Sequence, residues 1–99
     1  MKSLAHILPG LLDSLGLADR ASGWRAVLEW NSIAGARIAR HSRAVAFRDG
    51  VLTVEVEGSA WMHELGFLRR ELVSKTNRHL GSDIVREVRL VPAQGGHRR

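Results

Sequence analysis

The sequence has 99 residues, 44% of them hydrophobic, which is enough for one domain with a small core. It has no cysteine, which excludes disulfides, thiolate metal sites and cysteine nucleophiles. The formal charge is +5 and thirteen of the fifteen basic residues are arginine, whose planar side chain suits phosphate oxygens.

Two helices are predicted in the first forty residues. The first spans about residues 3–15, where leucine and isoleucine recur at helical spacing, and a polar connector is predicted at 17–22. The second spans about 23–40. A glycine inside a helix costs about 1 kcal/mol relative to alanine, so we expect another backbone to pack closely on Gly35. A break at Asn31–Ser32, giving two shorter helices, is the alternative.

A hairpin, a long helix and a final strand follow. Residues 43–48 and 51–57 alternate apolar and polar side chains around Asp49–Gly50, which is the strongest short-range signal for a β-hairpin. A third helix is predicted from Ser59 to about Leu80. The last strand is predicted at 84–91, because Pro92 lacks an amide hydrogen.

This element order, ααββαβ, predicts an α+β fold in which the hairpin and the last strand form a three-stranded sheet with helices packed on one face. Residues 1–92 are predicted to be one domain and 93–99 a short flexible basic tail. Trp24 is expected in the core. The expected core around the third helix consists of Val45, Phe47, Leu52, Val54, Val56, Trp61, Leu65, Leu68 and Leu72. The expected outer sheet face consists of Thr53, Glu55, Glu57, Val85, Glu87 and Arg89.

The sequence has no recognisable catalytic arrangement. Its five histidines are scattered, and it has no glycine-rich phosphate loop, no nucleophile elbow and no acidic pair at metal-binding spacing. We therefore expect no enzymatic activity, no metal, no cofactor and no small-molecule substrate. No apolar stretch reaches membrane-spanning length, so we expect a cytoplasmic protein that does not contact membranes.

Basic side chains are the candidates for nucleic-acid binding. They cluster in sequence around the end of the second helix and along the third. The predicted nucleic-acid-binding residues are Arg37, Arg40, Arg43, Arg48, Lys75 and Arg78. The expected outer sheet face has no group of aromatic side chains on which bases could stack, so phosphate contact with little base recognition is favoured.

Two aromatic residues are candidates for contact with a protein partner. Trp30 lies at the edge of its helix's apolar face, where it either seals a seam between elements or meets a partner. Phe67 lies on the side of the third helix that carries Arg70, away from Trp61. Either the first helix covers Phe67, or Phe67 is an exposed partner contact with Arg70 beside it.

Three segments together resemble one known family. The first is Trp30-x-x-Ile33-x-Gly35-x-x-Ile38-Ala39-x-His41-Ser42, the second is the hairpin at 47–56, and the third is Ser59-Ala60-Trp61-x-x-Glu64-Leu65. In order and spacing they resemble the DciA family of bacterial proteins, which load or regulate the replicative DNA helicase. The resemblance extends from about Leu12 to Val91.

The resemblance implies a KH-like fold and a replication accessory protein. Such a protein would bind the hexameric replicative helicase, assist its loading on single-stranded DNA, and bind single- and double-stranded DNA weakly without regard to sequence. The Gly-x-x-Gly loop of true KH domains is not found between helices here. Members of the family commonly carry a longer disordered extension, whereas this sequence ends soon after Pro92. It is therefore either a complete loader or a shortened member whose helicase contact or DNA affinity is reduced.

Two other functions are consistent with the same residues. An RNA- or ribosome-associated binding module would prefer structured RNA to single-stranded DNA. A protein adaptor without any nucleic-acid role would bind its partner with an affinity that is insensitive to salt.

Overall fold

A computed structural model describes residues 17–93. Its helices are α1 (Leu17–Leu28), α2 (Trp30–Ala34), α3 (Ala36–Ala39), α4 (Ser59–Phe67) and α5 (Arg69–Leu80). Its strands are β1 (Ser42–Arg48), β2 (Val51–Val56) and β3 (Glu87–Pro92). This order confirms the predicted α+β class. The helix predicted at 3–15 and most of the predicted tail, residues 94–99, lie outside the described residues.

The three strands form a mixed sheet in the order β1-β2-β3. Strands β1 and β2 are antiparallel, and β3 runs parallel to β2. Asp49 and Gly50 both have positive φ, 52° and 83°, as a two-residue type I′ turn requires. The predicted hairpin is therefore confirmed. The Arg86 amide donates to the Gly50 carbonyl at 2.7 Å, which fixes the approach to β3 beside the turn.

A β-bulge changes which side chains of β1 face the core. The register with β2 shifts between Ala44 and Ala46, so Val45 is an extra residue without a cross-strand partner. Ala44 and Phe47 are buried whereas Val45 is only half-buried. The prediction that Val45 belongs to the core was wrong, because strict alternation along the strand does not allow for the inserted residue.

One hydrophobic core lies between the inner face of the sheet and the helices. Leu52, Val54 and Val56 project into it from β2, and all three have essentially no solvent exposure. The helices contribute Ala26, Trp30, Ile33, Ala34, Ile38, Leu65 and Leu72. Trp61 and Leu68 are partly buried and pack against this core. The predicted core is thus largely confirmed, with Trp61 at its margin.

Gly35 does not have the role predicted for it, and Gly23 makes the close contact instead. Gly35 has φ 89° and separates α2 from α3, and a Cβ atom added there would meet nothing within 4 Å. The expected close approach occurs instead at Gly23, where a Cβ would lie 2.0 Å from the Phe47 ring. Gly35 is therefore needed for its backbone conformation, and Gly23 for the contact of α1 with β1.

Helix α1 begins earlier than predicted, because residues 17–22 are helical and do not form a connector. Its buried face carries the small residues Gly23 and Ala26, which let the helix lie close to β1. Trp24 faces away from this contact with 47% of its surface exposed. The expectation that Trp24 lies in the core was therefore wrong.

The predicted third helix consists of α4 and α5, which meet at Leu68. Gly81 has φ 73° and ends α5 in the left-handed conformation, so the helix stops at Leu80, the predicted end. The Asn77 side chain accepts from the Val85 amide at 3.0 Å and donates to its carbonyl at 2.9 Å. This pairing turns Val85 into the core ahead of β3, so the prediction that Val85 lies on the outer sheet face was wrong.

Candidate nucleic-acid and partner interfaces

Three of the predicted DNA-binding arginines surround the passage from α3 into β1. Arg37 lies on α3, Arg40 ends that helix, and Arg43 is the second residue of β1; all three are exposed. Arg40 and Arg43 line one cavity of about 290 Å³ with His41, Ser42, Glu55, Glu57 and Ala93. We call Arg37, Arg40, His41, Arg43 and Trp61 the helix-exit corner.

Trp61 joins this corner from the start of α4. The His41 imidazole stacks on the Trp61 ring, with ring centroids 4.6 Å apart and planes 17° from parallel. The guanidinium carbon of Arg37 lies 5.2 Å from the Trp61 centroid, within the range of a cation–π interaction. Arg37 and Trp61 line a second cavity of about 250 Å³ with Ala60 and Glu64.

The stack of His41 on Trp61 was not predicted. Trp61 was assigned to the core because it leads the apolar stripe of its helix, and that assignment gave no reason to look for an aromatic partner. His41 and Trp61 are 20 positions apart in the sequence, and only the folding of the hairpin between them brings their rings together. No local spacing could have indicated this contact.

The charges of the corner are only partly compensated. Arg43 donates to Glu55 across the sheet at 3.1 Å. In the described part of the chain, neither Arg37 nor Arg40 has a carboxylate within ion-pair distance. Two exposed guanidinium groups are therefore available for an anion such as a nucleic-acid phosphate.

The other predicted DNA-binding residues lie elsewhere. Arg48 is at the far end of β1, roughly 17 Å from Arg43 at the usual rise of a strand, and lies 3.8 Å from the Asp49 carboxylate. Lys75 and Arg78 belong to α5. The predicted set is therefore not one cluster, and only the three arginines of the helix-exit corner are brought together.

The two predicted partner contacts have opposite environments. Trp30 is 2% exposed and donates from Nε1 to the Ser42 hydroxyl at 3.0 Å, so it seals the seam between α2 and β1 and cannot anchor a partner in this conformation. Phe67 is 77% exposed at the end of α4, with its ring edge-to-face against His63 at 4.9 Å. Arg70 is exposed at the start of α5.

Helix α1 presents an apolar stripe that was not predicted. Leu28 is 80% exposed, and Trp24, one turn earlier, is also exposed. Trp24 also lines a groove of about 820 Å³ at the hairpin end of the sheet. Near the end of this stripe the His79 ring lies 2.7 Å from a Glu29 carboxylate oxygen, and Arg25 donates to the same oxygen. These hydrogen bonds, that of His79 foremost, lower the pKa of Glu29.

Among residues 17–93 no three histidine, aspartate or glutamate side chains are grouped so that they could hold a metal ion. Within the same range, no helix combines the length and the apolar character that crossing a membrane requires.

Comparison with known proteins identifies the family. A family model described as "Dna[CI] antecedent, DciA" matches residues 3–90. The chain belongs to the DciA family. The match includes every helix of the described structure, the hairpin, and all of β3 except its last two residues, so the family resemblance seen in the sequence is confirmed.

Curated relatives of this DciA-family chain carry the name UPF0232 protein. That of Mycobacterium tuberculosis (strain H37Rv) is 36% identical over 62 residues, covering 63% of this chain and 33% of the relative. That of Bifidobacterium longum is 33% identical over 70 residues, covering 71% and 45%. That of Mycolicibacterium smegmatis is 28% identical over 92 residues, covering 93% and 47%. The chain thus spans a third to just under half of the length of these relatives.

Proposed function

We propose that this chain is a non-enzymatic accessory protein of DNA replication in the bacterial cytoplasm. It binds the hexameric replicative helicase and assists its loading on single-stranded DNA. Membership of the DciA family supports a replication role. The described residues act by contact, because their notable features are surfaces and not a catalytic arrangement.

Weak, sequence-independent DNA binding is assigned to the helix-exit corner. The observation that carries this assignment is that Arg37 and Arg40 are exposed beside Arg43, with no carboxylate of residues 17–93 within ion-pair distance of either. Guanidinium groups bind the phosphate oxygens of a nucleic acid whatever its base sequence. Glu55 and Glu57 line the cavity that Arg40 and Arg43 also line, and their negative charges oppose phosphate binding. The affinity for DNA is therefore expected to be micromolar and sensitive to salt.

Helicase binding is assigned to the surface around Phe67 and Arg70. Burying an aromatic ring that is 77% exposed removes apolar surface from water, and aromatic and arginine side chains supply much of the energy of protein interfaces. Phe67 ends α4 and Arg70 lies in the first turn of α5, so both are held on the same bend of the chain.

The test is capture of the replicative helicase by the tagged chain from a bacterial lysate, with and without nuclease. We expect capture in both conditions, because the proposed contact is between proteins. Capture that disappears with nuclease would mean that nucleic acid bridges the two proteins. No capture of purified helicase by the purified chain would reject helicase binding itself.

A competition experiment distinguishes DNA binding from the alternative, an RNA-associated module. Labelled single-stranded DNA bound to the chain is displaced with unlabelled single-stranded DNA or with a structured RNA of equal length. We expect the structured RNA to displace the label no better than the single-stranded DNA, since phosphate contact does not favour RNA. Displacement at far lower concentrations of RNA would favour the RNA-associated module.

A further inference from the structure

We propose that Trp61, backed by His41, forms a stacking platform for one unpaired base of a bound nucleic acid. This inference rests on the proposed DNA binding and adds a base contact to it. Among residues 17–93 the outer sheet face carries no aromatic side chain on which a base could stack. The platform lies at a different place, where the start of α4 meets the end of α3.

The aromatic surface is already arranged for stacking. The nearly parallel His41 ring supports the Trp61 ring at 4.6 Å, which restricts the motion of both side chains. Trp61 nevertheless remains partly exposed and lines an open cavity. A large aromatic side chain that is held in place but left partly in water can gain further energy by stacking against another flat ring.

The charges around the cavity favour a base within it and the phosphates outside. Glu64 lines the cavity, and its carboxylate repels a phosphate while it can accept a hydrogen bond from a base amino group. Arg37 lines the same cavity, and no carboxylate of residues 17–93 lies within ion-pair distance of it. Its guanidinium lies over the Trp61 ring, so a stacking base displaces this exposed side chain, which then contacts the adjacent phosphate or lies against the base.

Such a platform selects unpaired strands. A base within a duplex is stacked on both sides and cannot reach the Trp61 ring without unpairing. Phosphate contacts alone would bind single and double strands alike, whereas stacking adds affinity only for the single strand. The helix-exit corner would thereby distinguish the strand on which a helicase is loaded from the duplex beside it.

The test compares two single-stranded oligonucleotides with the same number of phosphates, one with bases and one made entirely of abasic sites. We expect the wild-type chain to bind the base-bearing strand about tenfold more tightly, the size of effect expected for one stacked base. Trp61→Leu should bind both strands with the wild-type affinity for the abasic one, and Trp61→Tyr should keep most of the preference.

Trp24→Leu is the matched control, because Trp24 is an exposed tryptophan on α1 away from the helix-exit corner. It should bind both strands like wild type. Loss of the preference in Trp24→Leu, or its retention in folded Trp61→Leu, would overturn the platform. Equal wild-type affinity for the two strands would overturn it while leaving DNA binding intact. No binding of either strand at low salt would reject DNA binding as well.

A fluorescence measurement keeps the test valid should Trp61→Leu fail to fold. In a Trp24→Phe chain the remaining tryptophans are Trp61 and the buried Trp30. A base stacked on Trp61 should quench the emission, and the abasic strand should not. Equal emission with both strands at saturation would contradict stacking.

Discussion

The indole Nε1–H of Trp30 donates a 3.0 Å hydrogen bond to the Ser42 hydroxyl, which in turn donates to the Ile38 carbonyl at 2.7 Å. Both side chains are buried, and they connect α2, the end of α3 and β1. A buried indole N–H needs a partner, because leaving it unpaired costs about 1–3 kcal/mol. Ser42 therefore allows a tryptophan to fill this part of the core.

A double-mutant cycle measures this relationship. Ser42→Ala leaves the Trp30 N–H unpaired and should destabilise the domain by about 1–3 kcal/mol. The Ile38 carbonyl keeps its bond from the His41 amide at 3.1 Å, so it adds little to this cost. In a Trp30→Phe background no indole N–H remains, and Ser42→Ala should cost about 1 kcal/mol less. Urea unfolding provides both values, and an equal cost in the two backgrounds would contradict the coupling.

The second prediction concerns the packing of α1 on β1. Gly23→Ala improves helix propensity by about 1 kcal/mol, but its methyl group would overlap the buried Phe47 ring. Overpacking of this kind costs about 1–3 kcal/mol, so we expect a net loss of stability. Ala21→Gly, at an exposed position of the same helix, is the control for propensity alone. A Gly23→Ala variant that is more stable than wild type would show that the ring moves aside without cost.

The hairpin and the glycines of the helices before it show what the sequence could and could not predict. Alternation of apolar residues and the Asp49–Gly50 turn are local properties, and the sheet they predicted is present. The close approach at Gly23 depends on Phe47 lying opposite it in the folded chain, and the sequence alone predicted this close approach at Gly35 instead. The bulge at Val45 likewise leaves no mark on the local pattern.

In the candidate site, too, the features that are local in the sequence were predicted and those that depend on the folded chain were not. The sequence identified the arginines of the helix-exit corner, because they are close together along the chain. It did not identify the stack of His41 on Trp61, which needs the whole hairpin to form. It also grouped Arg48 with Arg43, although an extended strand separates their side chains.

The third prediction concerns the arginines of the helix-exit corner. Each phosphate neutralised by the protein contributes to the dependence of affinity on salt. For single-stranded DNA we expect a log–log slope of roughly −2 to −4 in the wild-type chain, and a clearly shallower slope when Arg37, Arg40 and Arg43 are all changed to alanine. Fluorescence anisotropy at several salt concentrations measures the slope.

The control for this experiment changes the same number of charges elsewhere. Arg48, Lys75 and Arg78 together changed to alanine lower the net charge by the same amount but leave the helix-exit corner intact. Their effect on the slope should be smaller. Should the control variant lose more salt dependence than the corner variant, the principal phosphate contacts would belong to the other surfaces.

The last prediction concerns helicase binding. Phe67 is exposed, so Phe67→Ser removes an aromatic contact without leaving a cavity, and the unfolding free energy should change little. If Phe67 anchors the complex, the substitution should weaken helicase binding by about 2 kcal/mol or more, which is roughly thirtyfold. Leu28→Ser is the matched control, because Leu28 is exposed to the same degree on a different helix. Surface plasmon resonance with immobilised helicase measures both variants, and DNA binding should be unchanged in each. If Phe67→Ser binds the helicase like wild type and Leu28→Ser does not, the interface would lie on the apolar stripe of α1 and not at Phe67.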